Sequence, residues 1–182
     1  MTKEMSQKEQ RLVLNYFKTI RKAAIFIKDY FHNKTLHYKS ETHNFSLKIL
    51  NTNLMHLCGL QYDSGAKAFF KDAVDNKLRI DKIKIKTDNT TLLKLQVLSE
   101  LDKLTTSEIT LCPSSVLGEV RYHFAIRTNK KILMVALNST ESDYLVPISL
   151  INLTTMKHDP KGEKVKSIFV EDHICKTITR II

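Results

Sequence analysis

The side chains in this 182-residue chain that can do chemistry are imidazoles, ammonium groups and hydroxyls rather than clustered carboxylates. Seven histidines are present, and no two have the close helical spacing of a zinc protease. The near acidic pairs, Asp72 with Asp75 and Glu171 with Asp172, are scattered and do not resemble a magnesium site at a strand end. Neither a phosphate-cradling P-loop nor a Gly-rich dinucleotide turn occurs, so no metal ligand is assigned and no cofactor is expected. The remaining set suits metal-independent RNA cleavage. There the ribose 2′-hydroxyl is the nucleophile, and the protein has only to move protons and stabilise charge.

His56 is the first candidate for proton transfer, because it lies between Met55 and Leu57 in a turn that Gly59 closes. A histidine buried there and bonded to backbone would explain the same residue without chemistry. His123 alternates with large apolar residues and shares a strand face with Arg127, which sets an imidazole beside a guanidinium. A solvated strand face is the plainer explanation of that pair. Lys67 and Lys94 each stand near a helix beginning, where the helix dipole disfavours a cation. Ser149 places a hydroxyl inside the apolar run Val146–Leu150, where it can donate to a phosphate or bond to backbone.

The formal charge of +10 and the pI near 9.5 point to a polyanionic partner, with RNA the first candidate. Residues 1–91 carry 17 basic and nine acidic side chains, so the positive field belongs to the first half. Lys18, Lys22, Lys71, Lys84 and Lys86 are the expected nucleic-acid contacts. Lysine enrichment also arises without selection for binding, so charge informs about partners and not about chemistry. The first residues are charged and no uncharged run approaches membrane-spanning length, which suggests a cytoplasmic protein with no membrane partner. Cys58, Cys112 and Cys175 are far apart beside apolar residues and read as reduced core residues.

These residues need positioning elements. Val13, Phe17, Ile20, Ala24, Ile27 and Phe31 recur every three or four positions and predict one amphipathic helix from about Gln7 to Phe31. Leu36–Lys39 and Phe45–Ile49 read as a hairpin, Asn51–Gly59 as a short helix and Ser64–Leu78 as a second one. A basic segment, Arg79–Lys86, leads to a third helix that Thr90 or Thr91 caps, with Leu93, Val97, Leu101 and Leu104 on its apolar stripe. The period then becomes two. Tyr122–Arg127 pairs with Ile132–Leu137; Leu145–Asn152 follows, with Pro147 marking an edge or bulge; Val165–Val170 and Ile174–Ile181 make a last hairpin. The expected fold is α+β, with N-terminal helices and a small hairpin packed on a C-terminal antiparallel sheet. One domain is expected over 1–182, divided into a helix (1–33), a hairpin and helices (34–105) and a sheet (106–182).

The runs Asn53–Leu60 and Gly65–Phe70, with Thr90-Thr91 and Lys94-Leu95, resemble phage- and mobile-element-associated members of the barnase/EndoU/colicin/RelE-like nuclease superfamily. Pro147-Ile148-Ser149-Leu150 is similar too, and the resemblance spans roughly residues 36–155. It implies helices on a small antiparallel sheet and a metal-independent endoribonuclease of toxin or phage-defence type, with an antitoxin or inhibitor as a further partner. Only His56, Lys67 and Lys94 carry over as motif positions, without roles. Two rivals stand beside that expectation: a non-catalytic module that binds nucleic acid or a nuclease, and an interaction domain whose lysines only confer solubility.

Overall fold

A computed structural model describes residues Met1–Ile182. Ser6 opens the helical region with a capping box, its hydroxyl accepting from the Glu9 N–H while the Glu9 carboxylate accepts from the Ser6 N–H. After β1 (Thr2–Lys3), the expected single helix is two, α1 (Gln7–Asn15) and α2 (Phe17–Phe31), separated by Tyr16. The apolar stripe nevertheless runs through both, and Val13, Ile20, Ala24, Ile27 and Phe31 are buried.

The hairpin β2 (Lys34–Lys39) and β3 (Asn44–Leu47) leads to α3 (Asn53–Leu57), β4 (Leu60–Tyr62) and α4 (Gly65–Val74). Next come β5 (Ile83–Lys86) and α5 (Thr90–Val97), which continues as a 3-10 helix through Thr105. A meander of β6 (Ile109–Leu117), β7 (Val120–Thr128), β8 (Leu133–Ser139) and β9 (Leu145–Asn152) follows, and β10 (Glu163–Lys164), β11 (Ser167–Asp172) and β12 (Thr177–Arg180) end the chain.

Nine strands form one sheet in the order β10-β6-β7-β8-β9-β3-β2-β11-β12, and β1-β5-β4 form a small second sheet. The arrangement is α+β as expected, with one departure. The N-terminal hairpin joins the meander through a parallel link at Leu47 and Leu145, so the large sheet is mixed. Glu163 clasps this hairpin from β10: its carboxylate accepts from the Ser40 and Thr42 hydroxyls and from the Thr42 N–H. Those donors, the Thr42 N–H first, hold its pKa down at about 2.

Alternation along the meander divides the interior. Leu111, Ile126, Val135 and Leu150 join the main core of 36 buried residues under the helices. Cys112, Ala125, Met134 and Ile151 point to the other face and form a smaller cluster with Tyr122, Ala136 and Leu153. Cys58 and Cys112 are buried as expected, whereas Cys175 lies exposed in the turn before β12. On β9 the pairing shifts by one residue, Ala136 opposing Ser149 and Leu137 opposing Pro147, so Ile148 is the extra residue of a β-bulge. Pro147 has no N–H to give the ladder, and this is where the ladder yields.

Candidate active site

The bulge matters because α3 docks on it. His56 Nε2 lies 2.6 Å from the Ile148 carbonyl oxygen. A carbonyl only accepts, so Nε2 carries the proton; in the neutral ring the lone pair is on Nδ1, which has no protein partner. The ring is solvent-exposed rather than sealed in the turn.

Cys58 caps the C-terminal end of α3, and Gly59 follows at φ +67°, the left-handed conformation the sequence suggests for that glycine. The Gly59 carbonyl accepts a 2.6 Å bond from the Thr91 hydroxyl, which itself accepts from the Lys86 N–H at 3.0 Å. Thr91 is therefore a buried tie between α3, β5 and α5 rather than the expected cap. The first turn of α5 is closed by Asp88, whose carboxylate accepts from the Thr90 N–H and hydroxyl. This tie sets Lys94 on the buried side of α5, in the helix's second half, with its aliphatic stem against Gly59.

Lys94 is only 8% exposed and pairs with no carboxylate. Burial is the main force that lowers its pKa and Lys86 adds to it, while Cys58 and Asp88 oppose them. Its residue lines a pocket of about 220 Å³ with Thr90 and Leu93 of α5, Ser149 to Asn152 of β9 and the β6–β7 turn around Glu119. Asn152 fixes α5 against β9 by donating to the Leu93 carbonyl at 3.3 Å and to Gln96 Oε1 at 3.2 Å. Ser149 donates to the Leu150 carbonyl at 3.2 Å and directly follows the residue that holds His56. His56, Lys94 and Ser149 therefore come from α3, α5 and β9, with α3 and α5 each packed on β9.

The other expected catalytic residues lie elsewhere. Lys67 lines a separate cleft with Lys71. His123 Nδ1 is 3.0 Å from the Ser139 hydroxyl and is engaged across β7–β8. Arg127 donates through Nε to the Pro160 carbonyl at 2.8 Å, anchoring the segment after β9 together with Asp159. Of the expected RNA-contacting lysines, Lys18 and Lys22 edge a groove between α2 and the 3-10 helix. Lys84 is ion-paired to Glu4 and Asp63. Lys86 lies near Lys94, close enough to depress its pKa.

Sequence reading missed Gly59 as a packing partner of Lys94, and Asn152 altogether. It also missed a network on β2, β3 and β11. His37 lies 2.8 Å from Ser46 Oγ and 2.9 Å from Glu171 Oε2, and His173 is 2.7 Å from the Thr35 hydroxyl. Both ring nitrogens of His37 are thus occupied from within the protein, whereas His56 keeps one free.

Gly59 gives a direct test of this geometry. A Cβ there would sit 3.1 Å from Lys94 Cδ and 3.2 Å from Thr91 Cα, on a left-handed backbone. Gly59→Ala should cost about 1–2 kcal/mol of backbone strain, read from the urea midpoint. It should also displace Lys94 and, on the expectation that Lys94 is catalytic, lower RNA cleavage about tenfold or more, since a 1 Å misplacement is costly in catalysis. Gly65→Ala is the control. Gly65 has φ +82° with nothing within 4 Å of a Cβ, so it should show the strain and keep the turnover.

Helices laid on a long sheet, with a near-buried lysine and the hydroxyls of Thr90 and Ser149 lining a pocket where α5 meets β9, define an α+β protein. The family model for phage-Barnase-EndoU-ColicinE5/D-RelE like nuclease4, PBECR4, matches residues 19–182, and the chain belongs to that family. A nuclease of Barnase-EndoU-ColicinE5/D-RelE type is what the family suggests, and nucleic acid is the substrate class this implies. No curated protein and no solved structure matches the chain. No helix is long and apolar enough to cross a membrane.

Proposed function

We propose that the protein is a metal-independent endoribonuclease whose site is the junction of α3, α5 and β9. The observation that carries this reading is a near-buried lysine without a counter-ion, lining a pocket beside Ser149. A buried cation left unpaired by the protein is explained by an anion that arrives with the substrate.

In this mechanism the Nδ1 lone pair of His56 takes the proton from a ribose 2′-hydroxyl. The 2′ oxygen attacks the adjacent phosphorus while the bond from phosphorus to the 5′ oxygen breaks. Lys94 faces the charge that builds on the phosphoryl oxygens, and its lowered pKa makes it a better proton donor to the departing 5′ oxygen than an ordinary lysine. Ser149 and Thr90 line the same pocket with hydroxyls that can donate to the phosphate. The products are a 2′,3′-cyclic phosphate and a 5′-hydroxyl. RNA rather than DNA follows from this chemistry, because only RNA brings its own nucleophile. The setting we propose is the cytoplasm, where the enzyme acts as a toxin or phage-defence effector held in check by an antitoxin; the phage association of the family supports it.

Purified protein incubated with RNA in excess chelator should yield fragments ending in cyclic phosphate, and an all-deoxy strand should stay intact. Cleavage that chelator abolishes, or equal cleavage of the deoxy strand, overturns the reading. RNA bound but left whole assigns the protein to non-catalytic binding.

A further inference from the structure

A second cleft lies away from the candidate active site. About 560 Å³ in volume, it is bounded by the C-terminal end of α2, the exposed face of α4 and the segment 49–52. Phe31, Ile49 and Phe70 line it as apolar residues, and Lys67, Lys71 and His32 add basic groups. A second depression, shared through His32, Asn51, Phe70 and Lys71, extends it to Lys28.

Lys28, Lys67 and Lys71, like most of the chain's 23 lysines, take part in no ion pair. The larger cleft contains no Asp or Glu, and Asp75 stands only in the smaller extension. Uncompensated cations over an apolar floor match a nucleic-acid strand, with phosphates toward the lysines and a ribose or base over the apolar surface. Leu50, 56% exposed at the rim, adds apolar surface of the kind an unpaired base covers and a duplex does not.

Position along the chain links this cleft to the chemistry. The rim residue Thr52 immediately precedes α3, and His56 follows four residues later, about 6 Å further along the helix at 1.5 Å per residue. A strand leaving the α3, α5 and β9 junction along α3 therefore enters the cleft.

We propose that this cleft is an exosite that holds single-stranded RNA flanking the scissile nucleotide, an inference that rests on the ribonuclease reading for its substrate. The site at Lys94 then breaks the bond, and the cleft determines how long a substrate is preferred.

The test is the double variant Lys28→Glu/Lys71→Glu, whose sites are both exposed helical positions. Two readouts separate the hypotheses. The first is binding of a 12-nucleotide 2′-O-methyl RNA, which cannot be cleaved, over a range of salt. Affinity should fall at least tenfold, and the slope of log K against log salt should become shallower by about 1.4, at about 0.7 per lost phosphate contact on a single strand. The second is cleavage of a dinucleotide, which should stay within twofold of wild type while the KM for a 12-nucleotide RNA rises. Unchanged affinity and slope overturn the exosite whether or not RNA is cleaved. Wild-type protein that cleaves no RNA overturns the ribonuclease reading and leaves the binding readout to decide the cleft alone. If the charge reversals unfold the chain, the corresponding double Ala variant carries the same test, with a smaller fall in affinity and the same direction of slope.

Discussion

Lys94→Met should lose RNA cleavage by about 10²–10³-fold, the range seen when one group facing transition-state charge is removed, and yet resist urea better than the wild type. Both halves follow from the burial of the amine. Its stem packs against Gly59 and its charge meets no carboxylate, so the folded protein carries a desolvated cation that the unfolded chain would hydrate. Met fills nearly the same space without the charge, and the gain should be about 0.5–2 kcal/mol, the usual size for relieving a strained functional site.

The sign of the pH dependence is fixed by the depression of the Lys94 pKa below its ordinary 10.5. Between the depressed value and 10.5 the unfolded chain binds more protons at this position than the native one, so wild-type stability at this site rises with pH across that window. Below the window the penalty is fully present; above it the penalty is gone. Urea melts of wild type and Lys94→Met should therefore differ most below the depressed value and converge toward pH 10.5. A phosphate docked beside the amine should reverse the depression, so at a pH inside that window binding of a non-cleavable RNA should take up protons. Calorimetry in two buffers of different ionisation heat reads this directly. A Lys94→Met protein that cleaves RNA within threefold of wild type removes Lys94 from the chemistry.

How far the sequence reveals this site depends on how local each signal is. The turn holding His56 was legible because Asn51-Thr52-Asn53 and Gly59 bracket it within nine residues. The bulge was foreshadowed by Pro147, whose missing N–H is a property of one residue. The inward face of α5 was not legible. The stripe Leu93, Val97, Leu101, Leu104 assumes one continuous α-helix, but after Val97 the chain tightens to 3-10 geometry. Val97, Leu101 and Leu104 are buried as that stripe expects, but Leu93 comes out exposed while Lys94, Leu95 and Leu98 turn inward. The whole of β6 escaped, because Ile109 to Cys112 are all buried and Pro113 to Val116 all exposed, so neither half alternates. β5 escaped because four residues with only Ile83 and Ile85 buried are too short an alternation to stand out within the basic segment Arg79–Lys86. Hardest to see were the long-range bonds. His56 and Ile148 are 92 residues apart, and His37 and Glu171 134 apart. Arg127 paired with Pro160 and Asp159 is of the same kind: nothing in its own strand names a partner in a distant loop.

His56 allows catalysis to be separated from support by the choice of substitution. Its Nε2–H holds the Ile148 carbonyl at the bulge, and its Nδ1 is the base in the proposed mechanism. Alanine removes both functions, whereas glutamine can keep the first, since its amide N–H can still donate to the carbonyl, and has no basic nitrogen for the second. His56→Ala and His56→Gln should therefore both lower kcat by about 10²–10⁴-fold, the usual contribution of a positioned general base, while only the alanine variant loosens α3 from β9. Loosening is read as faster amide exchange in Leu54–Leu57 and Ile148–Leu150. Glutamine that restores cleavage to within a few fold would make His56 a positioning residue that acts through the bulge and Ser149. The double variant His56→Gln/Lys94→Met carries the argument one step further. If both side chains serve one transition state, removing the second after the first should cost much less than it does alone, because groups that act as a unit are lost together. Losses that simply multiply would place the two residues in separate steps, with Lys94 binding the phosphate and His56 moving the proton independently.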